Sequence, residues 1–270
     1  MTAQAAWLEL WEHGAPLAQG NGDEDRPALL PFLLERPDGE PTGCIVVCPG
    51  GGYGMRANHE GEPIARWLNR IGLSAVVLRY RVSPYRHPCP LLDAQRAIRY
   101  VRATAADWKI DPERVGILGF SAGGHLASSA SVHFDEGDPE AEDAIDRQSC
   151  RPDAQILCYP VISYSAGHTG SFFNLLGQEP DEALLEQLSS DRQVKANTPP
   201  AYIWHTADDE IVPLDNVLLM SKGLRAEGIP HELHVFESGK HGLGLAERQP
   251  DVAEWTKLCE RWLIRLGMIR

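Results

Sequence analysis

Short apolar runs alternate with longer amphipathic segments over most of the chain. The run at 44–48 (CIVVC) ends at a proline and three glycines, which predicts a buried strand. Apolar residues at 60–71 and 91–106 recur at helical spacing, which predicts amphipathic helices. The same pattern predicts further strands at 74–80, 115–118, 154–159, 201–206 and 232–236, and further helices at 217–226 and 252–268. This alternation is typical of an α/β fold, in which a mostly parallel sheet carries helices on both faces.

Two apolar segments precede this alternation. Residues 6–11 and 28–35 are predicted as strands, and the Gly-, Asp- and Asn-rich stretch at 20–26 is predicted as a loop between them. Pro31 has no amide hydrogen to donate, so it restricts the second strand to a sheet edge or a bulge.

One segment interrupts the alternation. Residues 162–198 insert between two predicted strands and carry one predicted helix at 182–188. Ligands of parallel sheets bind beyond the carboxyl ends of the strands. We therefore expect this insertion to overhang those ends as a small partial cap, within a single domain formed by residues 1–270.

The composition is that of a globular protein, and the net charge favours neutral partners. The chain has 270 residues, of which 43% are hydrophobic and 23% charged, as expected of one α/β domain. A formal net charge of −13 repels phosphate backbones and anionic lipid surfaces. We therefore expect neither nucleic acid nor membrane as a partner, while the sequence leaves a homo-oligomer open.

The cysteines and the N-terminal residues indicate a cytoplasmic protein. Six cysteines occur without CxxC or zinc-finger spacing, which favours reduced thiols. Residues 1–12 lack the basic and apolar regions of a signal peptide, and no apolar run approaches the roughly 18 residues that cross a bilayer. We expect a cytoplasmic location.

A nucleophile motif follows the strand predicted at 115–118. Residues 119–123 read Gly-Phe-Ser-Ala-Gly, the G-x-S-x-G pattern of a strand that turns sharply into a helix and exposes one serine. The glycines remove Cβ atoms that would collide in this turn. The pattern predicts Ser121 as the nucleophile; the alternative interpretation is a glycine-rich helix start without chemistry.

A glycine-rich loop follows the strand predicted at 44–48. Pro49 is followed by three glycines and Tyr53, an arrangement that lets backbone amides approach an oxyanion. We predict an oxyanion hole formed by the amides of Gly51, Gly52 and Ala122. A flexible turn is the alternative, whereas a phosphate loop is disfavoured because GxxxxGK[ST] is missing from the sequence.

An acid and a base occur after the serine, in the order that a strand-turn-helix nucleophile requires. The strand predicted at 201–206 is followed by two aspartates, and Asp208 is favoured over Asp209 because it is the first carboxylate after the strand. His241 lies next to a glycine in the loop after the last strand, where it can reach the serine. The alternative interpretation makes these residues ordinary loop acids and a surface histidine.

Other aromatic and histidine side chains have lesser predicted roles. Tyr53 and His59 are candidates for substrate contacts at the pocket mouth, whereas His125 is interpreted as a packing residue of the helix after Ser121. His231 and His234 differ by three positions on a strand, so they face opposite sides and do not share a metal. We predict neither a metal nor an organic cofactor.

The motifs together resemble the acetyl-xylan-esterase-like group of the α/β-hydrolases, relatives of the hormone-sensitive-lipase and prolyl-oligopeptidase types. The resemblance extends over about 44–246 and lies in CPGGGY, EGEPIARWLNRIG, VLRYRV, GFSAGGHLA, LCYPVIS, GSFFNLLG, HTADDEIVP and GKHGLGLA. It implies the α/β-hydrolase fold with Ser121 as nucleophile, Asp208 as acid and His241 as base. Proline in place of the lipase-type histidine before the glycines is normal for this group.

The resemblance and the motifs predict a serine esterase. Its expected substrates are short acyl esters, acetyl above all, of a small molecule or an oligosaccharide. A peptidase-like or other hydrolase activity is one alternative. A ligand-binding α/β protein without catalysis is the other.

Overall fold

Eight strands form a single sheet in the order β1-β2-β4-β3-β5-β6-β7-β8 in the computed structural model, which describes residues 6–270. Neighbouring strands from β4 to β8 in this order are parallel, and β2 pairs antiparallel with β1 and with β4. The strands are β1 (Leu8–Glu9), β2 (Ala28–Phe32), β3 (Thr42–Cys48), β4 (Ser74–Arg79), β5 (Ile110–Phe120), β6 (Gln155–Cys158), β7 (Ala201–Thr206) and β8 (His231–Phe236).

Helices cover both faces because alternate residues of the central strands enter two separate cores. Val46 of β3 packs in one core with α2, α3 and α6, whereas Ile45 and Val47 pack in the other with α1 and α8. The helices are α1 (Glu62–Arg70), α2 (Cys89–Ala103), α3 (Ala122–Val132), α4 (Thr169–Leu176), α5 (Glu182–Gln187), α6 (Asp215–Ala226), α7 (Pro250–Ala253) and α8 (Trp255–Leu266). The predicted α/β fold is confirmed.

The differences from the predicted elements have local causes. The first predicted strand shortens to two residues, which pair only with Ala28 and Leu29. Pro31 lies beyond that pairing and therefore faces no second strand on its open side, as expected of a strand proline. The predicted terminal helix is divided into α7 and α8 at Glu254.

The insertion at 162–198 contains the predicted helix α5 and a second helix, α4, that was not predicted. α4 lies against the glycine-rich loop, where Asn174 Nδ2 donates to the Gly52 carbonyl at 2.8 Å. Just before α4, the His168 ring lies 6.5 Å from the His241 ring, centroid to centroid. Part of the insertion therefore borders the carboxyl edge of the sheet, while its role as a cap stays a prediction.

The interior holds all six cysteines as free, buried thiols. Burial raises the pKa of the thiols of Cys44 and Cys48 far above the ordinary value, so both stay protonated. Within residues 6–270, no helix combines the length and the apolar character that crossing a bilayer requires. The N-terminal residues Met1–Ala5, on which part of the localisation prediction depends, lie outside the described residues.

Candidate active site

Ser121 occupies a sharp turn between β5 and α3. Its backbone has φ 53° and ψ −120°, a conformation that L-residues rarely adopt. A Cβ on Gly119 would lie 2.0 Å from the Gly123 carbonyl oxygen, and one on Gly123 would lie 2.1 Å from the Cys48 carbonyl oxygen. Both flanking positions therefore require glycine, and the turn is the strand-to-helix elbow that the motif predicts.

Three side chains from distant loops form a continuous hydrogen-bonded row. The Ser121 hydroxyl donates to His241 Nε2 at 2.8 Å, and His241 Nδ1 donates to Asp209 Oδ2 at 2.7 Å. Because Nδ1 holds the proton, Nε2 presents its lone pair to the serine. The row has the geometry needed to move a proton from the serine oxygen to the imidazole.

The acid in this row is Asp209, which corrects the prediction of Asp208. Asp208 instead accepts hydrogen bonds from the Ser238 hydroxyl and the Gly239 amide, both at 2.6 Å. These bonds lower the pKa of Asp208 and fix the turn two residues before His241. Asp208 is therefore a support of the histidine loop and not the partner of the imidazole.

The physical reason is that Asp208 and Asp209 both lie in the turn after β7, which ends at Thr206, so different hydrogen bonds direct their side chains. The Thr206 hydroxyl donates to the Gly239 carbonyl, and Asp208 accepts from the Gly239 amide, so Thr206 and Asp208 reach the same neighbouring turn. Asp209 is instead directed by the amides of Ile211 and Val212, which bind its Oδ1, so its Oδ2 reaches His241. Proximity to the strand end alone does not reveal these hydrogen-bond partners, which explains the error.

Asp209 is held as an anion by its own loop. Its carboxylate is buried and its Oδ1 accepts from the amides of Ile211 and Val212 at 2.9 and 3.0 Å. Burial acts to raise its pKa, but the hydrogen bonds from His241, Val212 and Ile211 outweigh burial and lower the pKa. Both oxygens are thus satisfied, one by the loop and one by the imidazole.

The glycine-rich loop lies directly on the nucleophile. A Cβ on Gly50 would be 3.1 Å from Ser121 Cβ, so the backbone of the loop passes close to the serine and leaves no free space for a side chain there. The Gly51 carbonyl accepts from the amides of Gly54 and Met55 at 3.0 and 3.1 Å. In a trans peptide the next amide, that of Gly52, points away from these partners. The loop therefore has the backbone freedom and the position expected of an oxyanion hole.

Ala122 is the first residue of α3, so its amide has no acceptor within the helix. It directly follows Ser121 and lies at the positive end of the helix dipole. The amides of Gly51 and Gly52 thus lie in the loop that borders the serine, and the amide of Ala122 lies at the start of the helix that follows it. Their role as oxyanion donors stays a prediction.

Tyr53 does not face a substrate, which corrects its predicted role. It is 2% exposed, and its hydroxyl donates to His125 Nδ1 at 2.8 Å. Its carbonyl accepts from the Ser83 amide at 2.7 Å. Tyr53 therefore anchors the glycine-rich loop from below.

His59 lies against the loop that carries the catalytic histidine candidate. Its Nε2 donates to the Gly242 carbonyl at 3.0 Å, one residue after His241, while its ring is largely exposed. The predicted substrate contact of His59 stays a prediction. The structure adds that His59 supports the His241 loop.

Sequence reasoning missed two residues of the insertion beside the site. Asn174 binds the Gly52 carbonyl, and His168 faces the His241 ring while its Nδ1 donates to the Ile211 carbonyl at 3.1 Å. Burial lowers the pKa of His168, and the nearby His241 lowers it further. The signal for Asn174 was its place in the motif GSFFNLLG, although the motif alone does not indicate a contact.

Buried His125 joins the loop to the helix after the nucleophile. Its Nε2 donates to the Leu188 carbonyl at 2.7 Å, so its Nδ1 accepts from Tyr53 and the ring is neutral. Burial lowers its pKa from 6.5 to about 4.

This shift predicts a loss of stability in mild acid. Between pH 6.5 and about 4 the unfolded chain binds a proton at His125 that the folded chain does not bind. The stabilisation is fully present above pH 6.5 and is lost as the pH falls to about 4, by up to about 3 kcal/mol. Urea unfolding of the wild type and His125→Gln at pH 7 and 4.5 measures it; parallel pH dependences in the two proteins would contradict the prediction.

Comparison with known proteins places the chain in a family. Residues 32–224 match the BD-FAE family. The endo-1,4-beta-xylanase B of Butyrivibrio fibrisolvens is 42% identical to this chain, in an alignment that covers 82% of this chain and 35% of the xylanase. The acetylxylan esterase of Xylanibacter ruminicola is 36% identical over 91% of this chain and 48% of its own length. The chain thus spans between a third and a half of the length of these two relatives.

A solved structure extends the similarity to nearly the whole chain. The acetyl ester-xyloside bifunctional hydrolase of Caldicellulosiruptor lactoaceticus has a TM-score of 0.94 and 50% sequence identity, covering 99% of this chain and 98% of that one. The resemblance stated from the motifs is thereby confirmed. The chain belongs to the BD-FAE family of the α/β-hydrolases.

Proposed function

We propose that this protein hydrolyses short acyl esters, acetyl above all, on carbohydrate alcohols, with Ser121 as nucleophile, His241 as general base and acid, and Asp209 as the acid that orients the imidazole. The observation that carries this proposal is the row Ser121–His241–Asp209, with hydrogen bonds of 2.8 and 2.7 Å. The substrate class is supported by the similarity of this chain to an acetylxylan esterase and to an acetyl ester-xyloside hydrolase.

Acylation begins when His241 Nε2 takes the proton of the Ser121 hydroxyl and the oxygen attacks the ester carbonyl. Asp209 holds the Nδ1 proton and stabilises the imidazolium that forms. The amides of Gly51, Gly52 and Ala122 donate to the developing oxyanion, where one such donor contributes about 3 kcal/mol to the transition state. His241 then protonates the leaving alcohol.

Deacylation repeats the same steps with water. His241 Nε2 removes a proton from water, water attacks the acyl-enzyme, and the proton returns to Ser121 as the acid leaves. Apart from the ester and water, each proposed step uses groups of this chain. A binding protein without catalysis would have no need for a strained serine, with φ 53°, aligned to a histidine and a buried aspartate.

Labelling tests the proposal without a known substrate. A fluorophosphonate probe is expected to modify Ser121 in the folded protein, as located by mass spectrometry of the digest. Heat-unfolded protein serves as the control, because nucleophilicity depends on the assembled row. Labelling that is missing, or that occurs at another serine, would exclude Ser121 as the nucleophile.

A preference for short acyl groups is expected because α4 packs against the glycine-rich loop, through the bond from Asn174 to Gly52. The acyl group must bind beside this loop. We expect kcat/KM for 4-nitrophenyl acetate to exceed that for the octanoate by at least about tenfold. A higher kcat/KM for octanoate would contradict the assignment. Acetate release from acetylated xylo-oligosaccharides, compared with simple aryl acetates, then tests the carbohydrate alcohol.

A further inference from the structure

A buried glutamate lies between the two loops that carry the proposed catalytic groups. Glu60 ends the short 3-10 turn Asn58–Glu60 and is 2% exposed. Within residues 6–270, the one basic side chain within 4 Å of its carboxylate is His59, at 3.6 Å, and His59 is itself exposed and bonded to Gly242. A buried carboxylate is costly unless its oxygens accept hydrogen bonds. Its partners therefore indicate what it does.

One oxygen of Glu60 holds the first residue of the glycine-rich loop. The Gly50 amide donates to Glu60 Oε2 at 2.7 Å, and the Gly50 carbonyl accepts from the Ala57 amide at 2.9 Å. Both polar groups of Gly50 are thus fixed by the segment that leads to Glu60. Because Gly50 lies next to Ser121, this contact holds the start of the glycine-rich loop beside the nucleophile.

The other oxygen reaches the histidine loop through a tyrosine. The Tyr159 hydroxyl donates to Glu60 Oε1 at 2.6 Å and accepts from the Gly244 amide at 2.8 Å. Burial raises the pKa of Tyr159 well above its ordinary value, and the charge of Glu60 raises it further, so the hydroxyl keeps its proton. The Tyr159 ring also contacts the His241 ring edge-on, with centroids 5.1 Å apart.

The packing of the two loops leaves little room for independent movement. A Cβ on Gly244 would lie 3.1 Å from the His59 ring, and the Gly244 carbonyl accepts from Trp255 Nε1 at 3.2 Å. The segment 58–60 is therefore enclosed by the glycine-rich loop on one side and the histidine loop on the other.

We propose that Glu60 is a positioning residue that fixes the glycine-rich loop and the His241 loop relative to each other, with Tyr159 as the link from Glu60 to the His241 loop. The inference rests on the proposed function. Its consequence is that Glu60 acts on transition-state stabilisation and not on substrate affinity, because it contacts backbone and Tyr159 and lies below the loops.

The test uses Glu60→Gln and Tyr159→Phe, singly and together. A glutamine retains one acceptor oxygen, which satisfies Gly50, but its amide group cannot accept from Tyr159. We expect kcat for 4-nitrophenyl acetate to fall about 10²-fold in Glu60→Gln, with KM within about threefold of the wild type. Glu60→Asp, which keeps the charge, is expected to recover part of this loss.

The kcat of the double variant shows whether Glu60 and Tyr159 act as one link or support the two loops separately. The loss of kcat in the double variant is expected to be smaller than the two single losses combined, because both substitutions break the same Glu60–Tyr159 bond, although only Tyr159→Phe also removes the acceptor of the Gly244 amide. Tyr202→Phe is the matched control: its buried hydroxyl donates to the Trp255 carbonyl at 3.0 Å, and its kcat is expected within about twofold of the wild type. Should Glu60→Gln not fold, Tyr159→Phe alone tests the link, since it leaves Gly50 bonded to Glu60.

The outcomes separate the two proposals. If the wild-type protein and Ser121→Ala hydrolyse the ester at the same rate, the proposed function is refuted. If hydrolysis depends on Ser121 but Glu60→Gln keeps the wild-type kcat, only the positioning role is refuted. Where Glu60→Gln does not fold, a wild-type kcat in Tyr159→Phe has the same meaning. Additive losses in the double variant, or a rise of KM with kcat unchanged, would also overturn it.

Discussion

Replacing Ser121 with alanine is expected to lower kcat/KM for 4-nitrophenyl acetate by at least about 10³-fold, with a ceiling near 10⁶-fold. The substitution removes the atom that His241 Nε2 faces at 2.8 Å, so no acyl-enzyme forms. Residual hydrolysis would come from the glycine-rich loop and binding alone. Steady-state kinetics on the purified variant, with fluorophosphonate labelling of the same sample, measures the effect.

Folding must be shown to be intact for this loss to report chemistry. Tm is expected to stay within about 2 °C of the wild type, which corresponds to about 1 kcal/mol in a domain of this size. Ser131→Ala is the matched control, since Ser131 is a buried serine of the same helix α3 and its hydroxyl only donates to the Ala127 carbonyl at 2.8 Å. A Ser121→Ala protein with wild-type turnover would end the assignment of the nucleophile.

The parts of the site that the sequence predicts are those set by local geometry. β7 has the predicted bounds, Ala201–Thr206, because its apolar run is short and clearly terminated. The elbow at Ser121 is predictable because both flanking glycines are required by contacts within the turn and with β3. His241 is predictable because it is a histidine in the loop after the last strand.

The parts that the sequence does not predict depend on contacts between distant segments. Glu60 and Tyr159 meet across 99 positions, and nothing in either local pattern indicates the other. Tyr53 follows a glycine-rich loop and therefore suggests a pocket wall, but the loop turns its ring inward onto His125, 72 positions away. Side-chain direction in a loop is decided by such partners, which a single sequence does not reveal.

The second large effect is expected from replacing Asp209, the one of the two adjacent aspartates that binds His241. We expect Asp209→Asn to lower kcat by about 10³- to 10⁴-fold. The asparagine oxygen would accept from the amides of Ile211 and Val212, as Asp209 Oδ1 does now, which turns the amide nitrogen towards His241 Nδ1. A donor at that place favours the tautomer with the proton on Nε2, which cannot accept the proton of Ser121.

Asp208→Asn provides the matched comparison at the neighbouring position. Its oxygen retains the bond to the Gly239 amide, and its nitrogen can donate to the Ser238 hydroxyl, so the turn before His241 is preserved. We expect kcat within about tenfold of the wild type, because only the support of the histidine loop changes. Kinetics of both variants under identical conditions decides the matter: a larger loss in Asp208→Asn than in Asp209→Asn would restore the first aspartate as the acid and contradict the hydrogen-bonded row.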